Sequence, residues 1–252
     1  MALLGLSVTI AQSAFSQNKP NILCVVCEDI SPYLGCYGDP VAKSPNIDRL
    51  ASEGIRFTRM YTPVGVCAPS RAALITGMYP TSIGANNMRN YSPNSDYEAI
   101  PYDVSLYEVV LPEGIKCYTE YLRAAGYYCT NNNKTDYQFA PPLTAWDENG
   151  NNAHWGHRPS GKPFFSIFNL GVTHESQIWI RNSKPLVVDP DKVLLPSYYH
   201  DDASMKGFQC RMSRLKSGTC QGKDSIECNS KHQFRRIGQP GYLLSYKRNL
   251  FL

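Results

Sequence analysis

No stretch of this chain reaches the ~20 consecutive apolar residues that a transmembrane helix needs, which excludes an integral-membrane helix as its working part. Strong charge is missing too: the net charge is +4, with 18% of the 252 residues charged. A chain that is 42% hydrophobic is not a disordered one. A zinc pattern is also lacking. Cys24 and Cys27 form a C-x-x-C, but no second pair follows at zinc spacing, and both lie in an apolar run where buried thiols are the plain reading. They are given no metal and no redox role. The cysteines number nine, an odd count, so at least one has no partner within the chain.

A length of 252 residues accommodates one large domain or two small ones. The charge is unevenly spread. Of the 25 basic residues ten lie in residues 206–252, against only Asp224 and Glu227, so the tail is basic and the rest slightly acidic. Residues 1–17 hold a short apolar run, Ala2-Leu-Leu-Gly-Leu-Ser-Val-Thr-Ile-Ala11. Ala14-Phe-Ser16 then has the small-x-small form of a cleavage site. This reads as a degenerate signal peptide that lacks a basic start, and it points to a secreted or periplasmic location.

The chain is organised around Cys67-Ala-Pro-Ser-Arg-Ala-Ala-Leu-Ile-Thr-Gly77. Pro69 is tolerated in a first helical turn, Ala72, Ala73 and Leu74 favour helix, and Gly77 supplies a stop. Cys67 then stands at a helix N-terminus, where unpaired N–H groups and the dipole favour an anion. Arg71, one turn on, can direct a permanent charge to the same spot. A sulfur nucleophile, a dipole and a guanidinium at one point suit an oxyanion ester. The motif Cys-x-Pro-Ser-Arg-x-x-Leu-x-Thr-Gly matches every fixed position of the type I sulfatase signature. The resemblance implies that Cys67 is oxidised to Cα-formylglycine by a maturing enzyme, and that the aldehyde hydrate attacks sulfur.

The neighbouring stretches extend the pattern. Asn21-Ile-Leu-Cys-Val-Val-Cys27 is a continuous apolar, β-branched run, suited to a central strand covered on both faces. It ends in Glu28-Asp29, two acids that burial would penalise without a cation or hydrogen bonds and whose hard oxygens suit Ca2+. The resemblance implies calcium here, ligated by Glu28 and Asp29 together with residue 67; the family usually has Asp where Glu28 stands. Residues 44–54 form a helix unit with Ser44 as N-cap, Pro45 at N1, Ile47 and Leu50 facing inward and Gly54 as stop. Residues 55–61 alternate as a short strand. Residues 86–102 are polar and form an excursion near the pocket mouth. Residues 115–125 read as a helix with Tyr118, Tyr121 and Leu122 on one face, and residues 127–130 as a strand.

Lys134 follows that strand, where a lysine can reach a bound oxyanion as a point charge. It matches the Lys of the sulfatase Gly-Lys-x-His motif, which contacts sulfate; Asp136 replaces the motif's His. Lys162-Pro-Phe-Phe-Ser-Ile-Phe-Asn-Leu170 reads as another buried strand and leads to His174. This region resembles the sulfatase segment whose His lies near the leaving group, so His174 is the candidate general acid. Thr173-His-Glu-Ser-Gln177 is similar to a bacterial subgroup related to the heparan N-sulfatases.

The resemblance covers residues 18–200. It implies an α/β fold, the alkaline-phosphatase-like sandwich with a mostly parallel central sheet, represented by its N-terminal part. The implied substrate is a sulfated glycan or small sulfate ester or sulfamate. Alternatives are a phosphodiesterase or phosphonate hydrolase of the same superfamily, a non-catalytic glycan-binding remnant, and a nucleic-acid binder acting through the tail. The tail's lack of an aromatic-basic motif or nucleic-acid module argues against the last.

Residues 201–252 show no helical or alternating period, gain three cysteines and turn basic. The second acidic metal motif of a sulfatase is not found, and Asp147-Glu-Asn-Gly150 precedes the strand it should follow. The expectation is a shifted reading frame near residue 200, leaving an incomplete oxygen cage and little or no activity. Translating the encoding DNA in all three frames from the Pro190 codon tests this. Another frame should continue into an apolar strand followed by Asp-Asn or Asp-His; if none does, residues 201–252 are native.

Overall fold

The protein is described by a computed structural model covering residues 19–88, 108–180, 183, 185–186, 188–207 and 210. The signal-peptide segment, most of the polar excursion and nearly all of the basic tail lie outside the described residues.

Four strands form one parallel sheet in the order β1-β4-β2-β3: β1 is Ile22–Cys27, β2 Tyr128–Asn132, β3 Glu148–Asn149 and β4 Phe164–Leu170. Parallel neighbours need long crossovers. The connection from β1 to β2 carries α1 (Pro45–Glu53), α2 (Cys67–Thr76) and α3 (Tyr118–Ala124), and the short α4 (Ser176–Ile180) follows β4. β4 inserts between β1 and β2, with Cys27 opposite Leu170 and Asn132 opposite Phe168. All carboxyl ends therefore share one edge, where ligand sites of open α/β sheets lie.

The alternation of side chains sorts the core into two layers. Cys24, Val26, Cys129, Phe165 and Ile167 face one way and pack with Ala72 and Ile75 of α2. Tyr118 of α3 meets Phe165 edge-on, with ring centroids 5.4 Å apart. Leu23, Val25 and Phe164 face the other way, against Trp155 and Phe168. A satellite of Cys27, Ile30 and Leu34 receives Ile47 and Ala51 from α1.

Several local expectations are revised. β1 is buried, as its composition requires, yet among the described residues it pairs only with β4 and is terminal in the sheet. Residues 55–61 are not a strand: Ile55, Phe57, Met60 and Tyr61 are exposed. Their alternation has no sheet neighbour to pair with, and pairing is what stabilises a strand. Ser44 occupies the N-cap position, but its hydroxyl does not cap α1; it donates to Asp48 Oδ1 and accepts from Gly35 N–H. Of the face expected for α3, Tyr118 and Leu122 pack on the core, whereas Tyr121 is exposed and Thr119 is buried instead. Asp147 serves structure: it accepts from Cys129 N–H at 2.7 Å and pairs with Arg123 at 3.0 Å, holding the edge strand β3 in place.

Candidate active site

α2 begins at Cys67, with Val66 at its N-cap, and ends at Gly77 in the left-handed region at φ 69°. Valine has no side-chain acceptor for the first-turn N–H groups, so this end keeps its preference for an anion. Cys67 is half-buried there. The other core thiols differ: burial pushes Cys117 and Cys129 up to about 12, so they remain neutral packing groups.

Glu28, directly after β1, is 0% exposed. Its Oε1 accepts from Arg71 Nη2, and its Oε2 lies 3.3 Å from Lys134 Nζ and 3.7 Å from Cys67 Sγ. One carboxylate thus joins three of the four predicted catalytic side chains. Arg71 is 3% exposed and also donates to Lys134 O (3.0 Å) and Asn169 Oδ1 (2.9 Å). Lys134 reaches Asp136 at 3.4 Å, so the acid standing in the family's His position is a counter-charge to Lys134.

Asn169 and Asn131 escaped the sequence reading. Asn169 Nδ2 donates to Asn131 Oδ1 (2.9 Å) and Asn132 O (3.0 Å), while its Oδ1 receives Arg71. The available signal was a lone amide inside the apolar run of β4, since buried amides occur where they are hydrogen-bonded.

His174 lies past the carboxyl end of β4, and among the described residues no hydrogen bond joins it to Cys67 or Glu28. Its Nδ1 accepts from Ser176 N–H at 3.2 Å and meets Ser176 Oγ at 2.9 Å. Because that backbone N–H can only donate, the neutral ring carries its proton on Nε2. The next residue ties this segment to the acids: Glu175 N–H donates to Asp29 Oδ2 at 3.1 Å.

Glu28, Asp29 and Cys67 place one ligand atom each within 4.8 Å of one another. Two carboxylates suit a hard dication, whereas a thiol does not; the set fits calcium once residue 67 carries oxygen. It then supplies three of the ~6–8 oxygens that calcium takes. Among the described residues, every non-glycine with positive φ lies just after β1 or β2: Asp29 (48°), Ser31 (50°), Asn133 (105°) and Asp136 (48°). Such backbone costs energy and collects where a site over-determines it.

Comparison with known proteins gives a consistent result. The chain matches the sulfatase family model over residues 20–209. It is 49% identical over 161 residues to an ulvan-active sulfatase of Formosa agariphila, covering 64% of this chain and 26% of that protein. It is 39% identical over 115 residues to arylsulfatase A of Bos taurus, covering 45% and 22% respectively. The chain therefore spans about a quarter of the length of these curated relatives. Among solved structures, a sulfatase-like protein of Bacteroides thetaiotaomicron VPI-5482 superposes with a TM-score of 0.61 at 17% identity, covering 93% of this chain and 60% of that one. A 2-O GAG sulfatase gives 0.52 at 17% identity, covering 79% and 51%. At that identity the likeness is one of fold: the parallel sheet with helices is the alkaline-phosphatase-like α/β sandwich.

The buried carboxylate is testable. Glu28→Gln keeps the shape but leaves Arg71 and Lys134 without their counter-charge, and breaking a buried pair in this way costs about 3–5 kcal/mol. The urea midpoint of the variant should fall accordingly. An unchanged midpoint would show that Glu28 does not hold these elements together.

Proposed function

The chain belongs to the sulfatase family, and we propose that it carries the nucleophile half of a centre that hydrolyses sulfate esters or sulfamates on sulfated glycans. The convergence of Cys67, Arg71 and Lys134 on Glu28 carries this reading. Residue 67 acts after its CβH2–SH group is converted to an aldehyde by a formylglycine-generating enzyme. One hydroxyl of the aldehyde hydrate attacks sulfur at the helix N-terminus. Arg71 and Lys134 offset charge on the nucleophile and the sulfonyl oxygens, as fixed donors do in an oxyanion hole. His174 gives its Nε2 proton to the leaving group, and the remaining hydroxyl then expels sulfate and regenerates the aldehyde. Calcium, held by Glu28, Asp29 and residue 67, supplies Lewis-acid polarisation.

The substrate class rests on the kinship with an ulvan-active sulfatase. Secretion or periplasmic export follows from the N-terminal pattern; among the described residues, no helix is long and apolar enough to cross a membrane. The regions proposed are a leader at residues 1–17, the N-terminal part of the catalytic domain at 18–200, and a separate basic tail at 201–252.

Two measurements test the mechanism. Cys67→Ala should abolish aryl sulfate hydrolysis, and peptide mass spectrometry should show the aldehyde at residue 67 of the parent. Retained turnover in the variant would sink the mechanism, and faster turnover of an aryl phosphodiester would reassign the reaction. Calcium binding to the folded chain should raise its melting temperature. Asp29→Asn should remove most of that rise; an undiminished rise places the ion elsewhere.

A further inference from the structure

A cavity of about 270 Å3 is walled by Tyr33, Tyr37, Asp39 and Val41 on one side and by Val193 and Leu194 on the other. The first wall is the loop leaving β1 and the second belongs to the segment that follows β4 and α4. These two strands are neighbours in the sheet. The same two exits carry Glu28, Asp29 and His174. Four residues separate Asp29 from Tyr33, so their Cα atoms are at most about 14 Å apart. The cavity is therefore within reach of a sugar adjoining one bound at the charged cluster.

The wall is preformed. Gly35 N–H donates to Ser44 Oγ at 2.9 Å, and Cys36 N–H to Asp48 Oδ1 at 2.7 Å. A Cβ on Gly35 would stand 2.5 Å from Asp48 Oδ2, so the close approach of loop to α1 requires glycine. Tyr37 OH donates to Phe57 O at 2.9 Å, and Asp39 Oδ1 accepts from Val41 and Ala42 N–H, both at 2.8 Å. A rigid wall spares the ligand the cost of ordering it.

The lining is chemically selective. Phenol rings and aliphatic side chains offer flat apolar surface with hydroxyl edges, which suits the C–H face and the hydroxyls of a sugar ring. Asp39 is the only charged side chain among the residues lining the cavity. With no cation beside it in that lining, it accepts hydroxyl protons and repels sulfate or carboxylate. Burial, with a hydrogen bond to Tyr198, pushes the Tyr33 phenol up to about 12, so it stays neutral. The volume is just below the ~300–1,000 Å3 of sites for drug-sized ligands, room for one ring rather than a chain.

We propose that this cavity is a subsite for an uncharged pyranose that adjoins the sulfated residue in a glycan chain. The proposal rests on the sulfated-glycan reading above, and it adds that the neighbouring sugar is neutral.

Saturation-transfer NMR on the full chain, with millimolar methyl β-glucopyranoside and the matching methyl glucuronide, tests it. The glucoside ring protons should receive saturation, and the glucuronide should respond several-fold less. Leu194→Trp fills the rim from a position that is 73% exposed and so spares the core; it should weaken glucoside binding roughly tenfold. Asp39→Asn should bring the glucuronide up to the glucoside's level. An equal response to both sugars in the parent chain, or a glucoside signal untouched by Leu194→Trp, overturns the proposal. The Cys67→Ala chain should bind the glucoside unchanged. Glucoside binding in a parent chain without Cys67-dependent hydrolysis would remove the link to sulfated glycans and overturn the subsite as proposed. Hydrolysis without glucoside binding would overturn the subsite alone.

Discussion

A carboxylate with no solvent exposure, flanked by a guanidinium, an ammonium and a thiol, is the constraint on which this site depends. Glu28 alone would be expensive to bury, and so would Arg71. Together, with Lys134 and the Asn169 amide, they form a network in which each charge answers another. Such a network need not add net stability over an apolar core, but removing one member is costly. It also links β1, α2, the end of β2 and β4, so the position of Cys67 is set by the packing of the whole sheet edge.

That linkage explains how a nucleophile can be held on the first residue of a helix. The turn at Cys67 has no side-chain cap from Val66, which keeps its dipole directed at an incoming anion. Arg71 and Lys134 are already paired with Glu28, so they are in place before substrate arrives and need no reorganisation at the moment of reaction. The left-handed backbone at Asp29 and Asp136 belongs to the same pattern: the chain adopts a less favourable conformation where two strands deliver their acids to one point.

The site residues were legible because their chemistry is concentrated in short, unusual stretches. Cys67 and Arg71 share one helical turn, Glu28 and Asp29 end an apolar run, and Lys134 follows a strand. Asn169 was not legible, because an amide within an apolar strand acquires meaning only through its neighbours on β2 and α2. The failure at residues 55–61 has the same origin. Alternation proposes a strand, but only an adjacent strand can realise it, and there is none beside this segment among the described residues. Ser44 shows the converse: the residue type marked the right place, and the proximity of Gly35 and Asp48 redirected its hydroxyl.

By itself, the sequence determined the helix that begins at Cys67, the apolar strands β1 and β4 and the family to which they belong. All of these rest on contacts or patterns within a dozen residues. Only the tertiary structure decided that β4 lies between β1 and β2, that β1 is terminal among the described strands, and that Glu28 is the point where the cations meet. Arg71 and Lys134 stand 43 and 106 residues from Glu28 along the chain. Bringing them together depends on strand order and helix packing, which arise from the burial of the whole apolar surface rather than from any local preference.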